Sequence, residues 1–221
     1  MESRRRCTQL VVPPAEARAG VKILSYIVRY DVGFAPNPFH GYCTLATCHS
    51  DVRRAARIGD WILGTGSREK KLDGHLVYAM KVSEILSFDE YWDDPRFGPK
   101  RADLRGSTMV RFGDNVYHSD TDCEWIQEDS RHSKADGTPE PKHIEKDTRV
   151  DRVLISEEFV YFGGQGPAIP TEFRSDFDLV HVRQGFRSNF SSEKVDATVG
   201  WIKSLEEGQQ GRPEDWPRRR P

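Results

Sequence analysis

Residues 59–67, G-D-W-I-L-G-T-G-S, decide how the rest of the chain is read. A Gly-Asp turn delivers the backbone into an apolar run, which ends in two glycines around a threonine and then a serine. Glycine permits the tight geometries that turns require, so the run reads as a strand held between two turns. Just upstream, Val52, Ala55 and Ala56 recur at helical spacing behind Ser50 and Asp51, residues suited to a helix start. Gly59 ends that short helix. Downstream, residues 75–82 alternate Leu76, Tyr78, Met80 and Val82 against Val77, Ala79 and Lys81, the period of a second strand.

Further out, residues 22–30 place Leu24, Tyr26, Val28 and Tyr30 on one face of a strand, with Ile23 and Ile27 on the other. Residues 31–41 hold two prolines and two glycines and read as a loop, with Phe34 and Phe39 as core plugs or ligand contacts. Residues 42–48 read as a short strand. Ser87 caps a helical turn bearing Phe88, Tyr91 and Trp92, which Pro95 stops. Residues 109–112, 153–155, 159–162 and 177–182 read as further strands. A last helix follows Ser191 or Ser192, with Val195, Val199, Ile202 and Leu205 in one stripe. Residues 1–20 read as a disordered leader and 208–221 as a tail. Residues 119–149 form a polar insertion without periodicity, part of which, 134–146, is expected to be disordered. The remainder, 21–207, is expected to be a single domain.

The 221 residues carry 33 Lys and Arg against 35 Asp and Glu, a net charge of -2. A protein that grips a long duplex usually carries a clear positive excess, so a small ligand, a single base or a short strand is the better fit. No run approaches the roughly 18 apolar residues of a membrane span. The arginines near the start have no apolar region behind them, so no secretory signal is expected. Four cysteines are too few and too irregular for a disulfide framework. A reduced, cytoplasmic protein follows as the expectation.

The short helix, the Gly-Asp-Trp turn, the apolar strand and the following strand L-V-Y-A-M-K-V resemble the core of PUA-like domains. Within that group they resemble the EVE domains, and S-F-D-E-Y-W-D-D-P (87–95) looks like their aromatic, acidic and proline element. A wider set of motifs resembles the second type of nucleotide modification associated domain. These are F-A-P-N-P-F (34–39), C-T-L-A-T-C (43–48), G-D-W-I-L-G-T-G-S, K-R-A (100–102), G-D-N-V-Y-H (113–118) and V-L-I-S-E-E-F-V-Y-F-G (153–163). The resemblance implies an α+β fold, a PUA-like mixed β-barrel with short flanking helices, and a role linked to nucleotide hypermodification. It carries over no catalytic residue.

Candidate site residues come from local chemistry. Thr65, Gly66 and Ser67 either let backbone amides approach a ligand or form a plain turn. Lys100 and Arg101 are candidate phosphate contacts. Asn115 can read a base edge, and Asp114 and His118 can act as general acid and base. Trp61, Tyr91 and Trp92 either sandwich a base or pack in the core. His40, Cys43, Cys48 and His49 suggest zinc, but Cys43 and Cys48 on one continuous strand face opposite sides, so no metal is expected. No cofactor is implied. No Ser-His-Asp order, carboxylate pair or Cys-His nucleophile stands at a diagnostic spacing. The expected partner is a nucleotide, or a short or flipped nucleic-acid base, bound in a pocket. The alternative is an enzyme modifying a base or nucleotide by general acid/base chemistry.

Overall fold

The computed structural model describes residues 20–174, 178–180 and 185–216. It begins with β1 (Ile23–Val28), β2 (Cys43–Leu45), α1 (Ser50–Ala55), β3 (Trp61–Gly66) and β4 (Leu76–Lys81). Next come β5 (Glu84–Leu86), α2 (Phe88–Asp93), α3 (Thr108–Arg111), β6 (Tyr117–Ser119) and β7 (Trp125–Gln127). The chain continues through α4 (Pro141–Thr148), β8 (Val153–Ser156) and β9 (Phe159–Gly163). It closes with β10 (Phe186–Arg187), α5 (Ser192–Lys203) and β11 (Gly208–Arg212).

The first sheet runs β10-β1-β3-β4-β9-β11, the second β2-β8-β5, and β6-β7 is a separate hairpin. β1 and β3 pair in parallel, so β2 and α1 form the crossover between them. β4 and β9 pair in the first sheet, and their continuations β5 and β8 pair in the second. The two sheets are therefore one antiparallel ribbon folded over, stitched at the bend by Lys81 N–H to Glu158 C=O and Ser83 N–H to Ile155 C=O. Among the described residues no barrel closes. β10 and β11 lie at opposite edges of the first sheet with four strands between them. The fold is a mixed α/β arrangement of several sheets and short helices, and the mixed β-barrel of the sequence reading is corrected to three separate sheets.

Three apolar layers hold it. Leu24, Tyr26, Val28, Ile62, Tyr78 and Met80 face the second sheet and α1, meeting Cys43, Leu45, Val52 and Leu154. On the opposite face, Ile23, Trp61, Leu63 and Ala79 meet Val195 and Ile202 of α5. Phe34, Phe88, Tyr91, Phe97, Tyr117 and Ile155 form the third layer under α2 and the hairpin. The alternation read for β1 is reproduced. That of β4 breaks at Val77, because a bulge between Gly64 and Thr65 shifts the register and turns Leu76 to the α5 side.

Three local readings change. Residues 109–112 lie largely in a helix, not a strand, because Ser107 caps its first turn by accepting from Val110 N–H. The expected tail begins with β11, parallel to β9, and Trp216 stacks on Phe39 at 5.5 Å. The expected disorder at 134–146 gives way to turns and α4, held by a polar network rather than by apolar periodicity. The strand expected at 177–182 falls largely outside the described residues. Cys43 and Cys48 are free, while Cys123 is disulfide-bonded, against the expectation of reduced cysteines throughout.

The two glycines of β3 serve packing. A Cβ on Gly64 would lie 2.2 Å from the Tyr78 ring and 2.6 Å from Val28, and one on Gly66 would lie 2.3 Å from the Leu72 carbonyl oxygen. Gly59, with φ 91°, has open space around it. Gly64→Ala is expected to cost about 2–3 kcal/mol by overpacking. Gly59→Ala should cost only the left-handed backbone term, about 1–2 kcal/mol. Chemical denaturation of the two variants checks the order; equal losses would contradict it.

Candidate active site

The site is built where the crossover turns from strand to helix. After β2, Ala46 and Thr47 are buried and bring the chain to Cys48. Cys48 and His49 both adopt left-handed backbone, φ 56° and φ 30°. Such conformations cost non-glycine residues roughly 1–3 kcal/mol each, so neighbours must fix them. The Cys48 N–H donates to Asp147 Oδ1 at 2.9 Å, and its carbonyl accepts from Arg53 Nε at 3.1 Å. His49 packs its ring on Tyr26, centroids 4.0 Å apart. The partly exposed Cys48 thus stands just ahead of the first turn of α1.

His132 Nε2 lies 3.6 Å from Cys48 Sγ, and His132 Nδ1 lies 2.8 Å from Asp147 Oδ2. Thiol, imidazole and carboxylate thus stand in the order of a catalytic triad. The carboxylate is itself held: Tyr117 donates its hydroxyl to Asp147 Oδ2 at 3.0 Å, and Gln127 Nε2 donates to that hydroxyl at 3.0 Å. Phe34 meets the His132 ring edge-on at 4.8 Å, and His143 stacks on it at 4.1 Å with an interplanar angle of 17°. Beneath the triad Arg53, fully buried, donates to the carbonyls of Asp147 (2.6 Å), Val150 (2.6 Å) and Arg152 (2.8 Å) as well as to Cys48.

Burial opposes charge on His132, but hydrogen bonds to Asp147 and Cys48 outweigh it and raise the imidazole to about 9. Burial likewise opposes charge on Asp147, and His132, the Arg53 guanidinium and the Cys48 amide together hold it below its usual range. Burial lowers Arg53 to about 10, with Asp147 acting the other way. At neutral pH the site therefore contains an imidazolium facing a sulfur, backed by a carboxylate. The same three residues form the potential metal-ligand group found among the described residues. One ligand atom from each lies within 4.8 Å of the others, so the set is spaced for an ion as well as for proton transfer, and His132 Nδ1 could keep its bond to Asp147 with Nε2 on a metal.

The residues singled out from sequence fall into separate places. Asp114 is buried and accepts from Thr44 Oγ1 (2.7 Å) and the Tyr91 hydroxyl (2.9 Å). Lys100, 1% exposed, gives its ammonium to the Asn37 carbonyl, Asn37 Oδ1 and the Tyr42 carbonyl. Burial lowers that ammonium to about 8. Asn115 donates to the carbonyls of Tyr91 and Phe97. Together with Tyr91, these three belong to an interior network linked through Thr44 and Asn37, in which Lys100 has no donor left for phosphate. His118 bonds Glu128 at 2.9 Å and stacks on Trp92 at 4.2 Å, and Arg101 lies 3.8 Å from the centre of the Trp92 ring. Trp61 is in the apolar layer under α5. Thr65 donates to the Tyr26 carbonyl, and Ser67 caps a single turn by accepting from Lys70 N–H. Gly66 and Ser67 border a small cleft with Asp31, Lys70, Glu214 and Asp215. Cys43 is sealed in the first apolar layer.

β6 does reach the triad, through Tyr117 rather than His118, because successive residues on a strand point to opposite faces. The triad itself is not legible at short range: Cys48 is 84 residues from His132, which is 15 from Asp147. The one local signal is a cysteine at a strand-to-helix turn.

The family model described as Nucleotide modification associated domain 2 matches residues 21–220. The chain belongs to that family. Comparison with curated proteins and with solved structures gave no significant match. Membership in the Nucleotide modification associated domain 2 family links the chain to nucleotide modification, and the match spans the triad and all the elements that hold it.

The His132 charge makes a testable contribution to stability. Its value is about 9 in the fold against 6.5 ordinarily. A raised value stabilises fully below about 6.5, and the gain is lost as pH rises through about 9. The stability difference between wild type and His132→Asn should therefore shrink from pH 6 to pH 10 in denaturation experiments. A difference independent of pH would contradict a charged His132.

Proposed function

We propose that the chain is an enzyme of nucleotide modification that uses Cys48 as a covalent nucleophile. The observation that carries this is the Cys48–His132–Asp147 arrangement, with Nε2 toward sulfur and Nδ1 toward carboxylate. The chemistry it suits is acyl transfer or hydrolysis at a carbonyl carbon of the substrate. In the reacting form the thiol proton has passed to His132, the sulfur attacks the carbonyl carbon and an S–C bond forms. His132 passes the proton to the departing amine or alcohol as its C–N or C–O bond breaks. Water or an acceptor amine then attacks the thioester, His132 accepts its proton, and the S–C bond breaks to restore the starting pair. Asp147 holds the imidazole ring in register throughout, and Arg53 and Tyr117 hold Asp147.

A second reading is recognition of a flipped or modified base by a PUA-like core. Its support is the sequence resemblance, since the cleft beside Gly66 and Ser67 has room for about one water and a base would have to open it. Calorimetric titration of the protein with plain and modified nucleotides tests that reading, and Ser67→Ala should weaken binding there without affecting Cys48.

The nucleophile is tested by alkylation at pH 7 with peptide mapping. Cys48 should react with iodoacetamide well ahead of Cys43, which is 0% exposed. His132→Asn should slow the Cys48 reaction at least tenfold. Asp147→Asn should slow it less while keeping the thiol accessible. An unchanged rate in His132→Asn would remove the triad from the mechanism.

A further inference from the structure

The two atoms that would share a proton in the triad also stand at the separation of two ligands on one ion. Cys48 Sγ and His132 Nε2 are 3.6 Å apart. Zinc binds cysteine sulfur at about 2.3 Å and histidine nitrogen at about 2.0–2.1 Å, so a tetrahedral angle between them sets the donors about 3.5–3.6 Å apart. The pair already has that spacing. Behind it stands the support that a metal-bound histidine requires. A ligating imidazole almost always donates its other N–H to a carboxylate, a carbonyl or water, which fixes the ring and raises its basicity. His132 Nδ1 meets Asp147 Oδ2 at 2.8 Å, and Asp147 is itself fixed by the Tyr117 hydroxyl and the Cys48 N–H.

Charge allows a cation here. The Asp147 carboxylate, whose side chain is 0% exposed, and the sulfur once it has lost its proton supply two negative charges. The Arg53 guanidinium opposes them from beneath, with its donors turned to four main-chain carbonyls. The residues that the sequence sets beside Cys48 take no part. Cys43 is sealed in the first apolar layer, His49 lies against Tyr26, and His40 is exposed on the loop before β2. The zinc set suggested by residues 40–49 therefore keeps one member, Cys48, and its histidine comes from a distant part of the chain. The thiol is partly exposed, so water can complete the shell of an ion held there.

We propose that Cys48 Sγ and His132 Nε2 bind one zinc-class ion, with Asp147 as the carboxylate behind His132. The ion takes the place of the proton the two atoms would otherwise share. Thiolate and imidazole select zinc and similar transition metals over magnesium and calcium, which prefer oxygen. On binding, the thiol proton and any proton on Nε2 pass to solvent, and the sulfur is no longer free to attack carbon. Occupancy therefore switches the nucleophile off and release restores it. The inference stands on the spacing of these atoms and goes beyond acyl transfer.

The experiment titrates Co2+, and separately Zn2+, into the full chain after treatment with EDTA. Wild type should take up a single Co2+ with a thiolate-to-cobalt charge-transfer absorption. That absorption should vanish in Cys48→Ser. Co2+ affinity should fall at least tenfold in His132→Asn and about ten- to hundredfold in Asp147→Asn, the latter with the absorption retained. His40→Asn should change neither. In wild type alone, Zn2+ should block alkylation of Cys48 by iodoacetamide, EDTA should restore it, and Mg2+ should have no effect. The proposal is overturned by the absence of a charge-transfer band at millimolar Co2+, by a band that survives Cys48→Ser, by an affinity unmoved in His132→Asn, or by alkylation indifferent to Zn2+. Loss of the nucleophile reading would register separately, as a metal-free iodoacetamide rate indifferent to His132→Asn.

Discussion

One buried guanidinium ties the crossover to the turn between α4 and β8. Arg53 reaches back from α1 to the Cys48 carbonyl and across to the carbonyls of Asp147, Val150 and Arg152. Burying an arginine is costly unless its donors are matched, and here they meet four main-chain acceptors in the interior. The Phe88 ring lies 5.4 Å from the guanidinium carbon and closes the remaining side. The distance between Cys48 and Asp147 is thus set by one side chain's planar fork, and His132 fills the gap it leaves. A neutral or flexible side chain could not hold those carbonyls in one plane.

The folded ribbon explains where the polar residues go. Because β4 and β9 continue into β5 and β8, both sheets share their strands, and the layer between them is apolar on both sides. Buried polar groups are gathered mainly into two hydrogen-bonded networks, although Thr47 Oγ1 and Asn115 Oδ1 are left without partners. One joins Lys100, Asn37, Thr44, Asp114 and Tyr91, and braces the loop at 31–42. The other joins Gln127, Tyr117, Asp147, His132 and Cys48, and opens to solvent at the sulfur. The first is closed and structural. The second has a partly exposed thiol at its end, two successive left-handed residues beside it, and a charged imidazole. That difference is what separates scaffold from candidate chemistry here.

Much of the scaffold was legible. The alternation of Leu24, Tyr26 and Val28 against Ile23 specified two covered faces, and the structure puts them in two apolar layers. Ser87, three residues before Glu90, specified a capped turn, and both bonds of the capping box form. The helix after Ser191 follows the stripe of Val195 and Ile202. What failed was short or polar. Residues 109–112 are too few for periodicity to choose helix over strand. Residues 134–146 lack apolar spacing, and so read as disordered, although they lead into the helix that carries Asp147.

By itself, the sequence determined the elements whose cause is local: apolar spacing, caps, and the glycines that admit the Tyr78 ring and the turn at Leu72. It also carried the family motifs, which span strands and turns recognisable one at a time. Only the tertiary structure decided which side chains meet. Lys100 and His118 each had plausible chemistry, yet one is committed to carbonyls inside the fold and the other to Glu128 and Trp92. His132 and Asp147 are unremarked where they stand in the chain, and they become a set with Cys48 because Arg53 and a folded ribbon bring 84 residues of separation down to 3.6 Å. A local pattern records what a segment does to its own backbone. A site made by long-range packing leaves its residues no such mark.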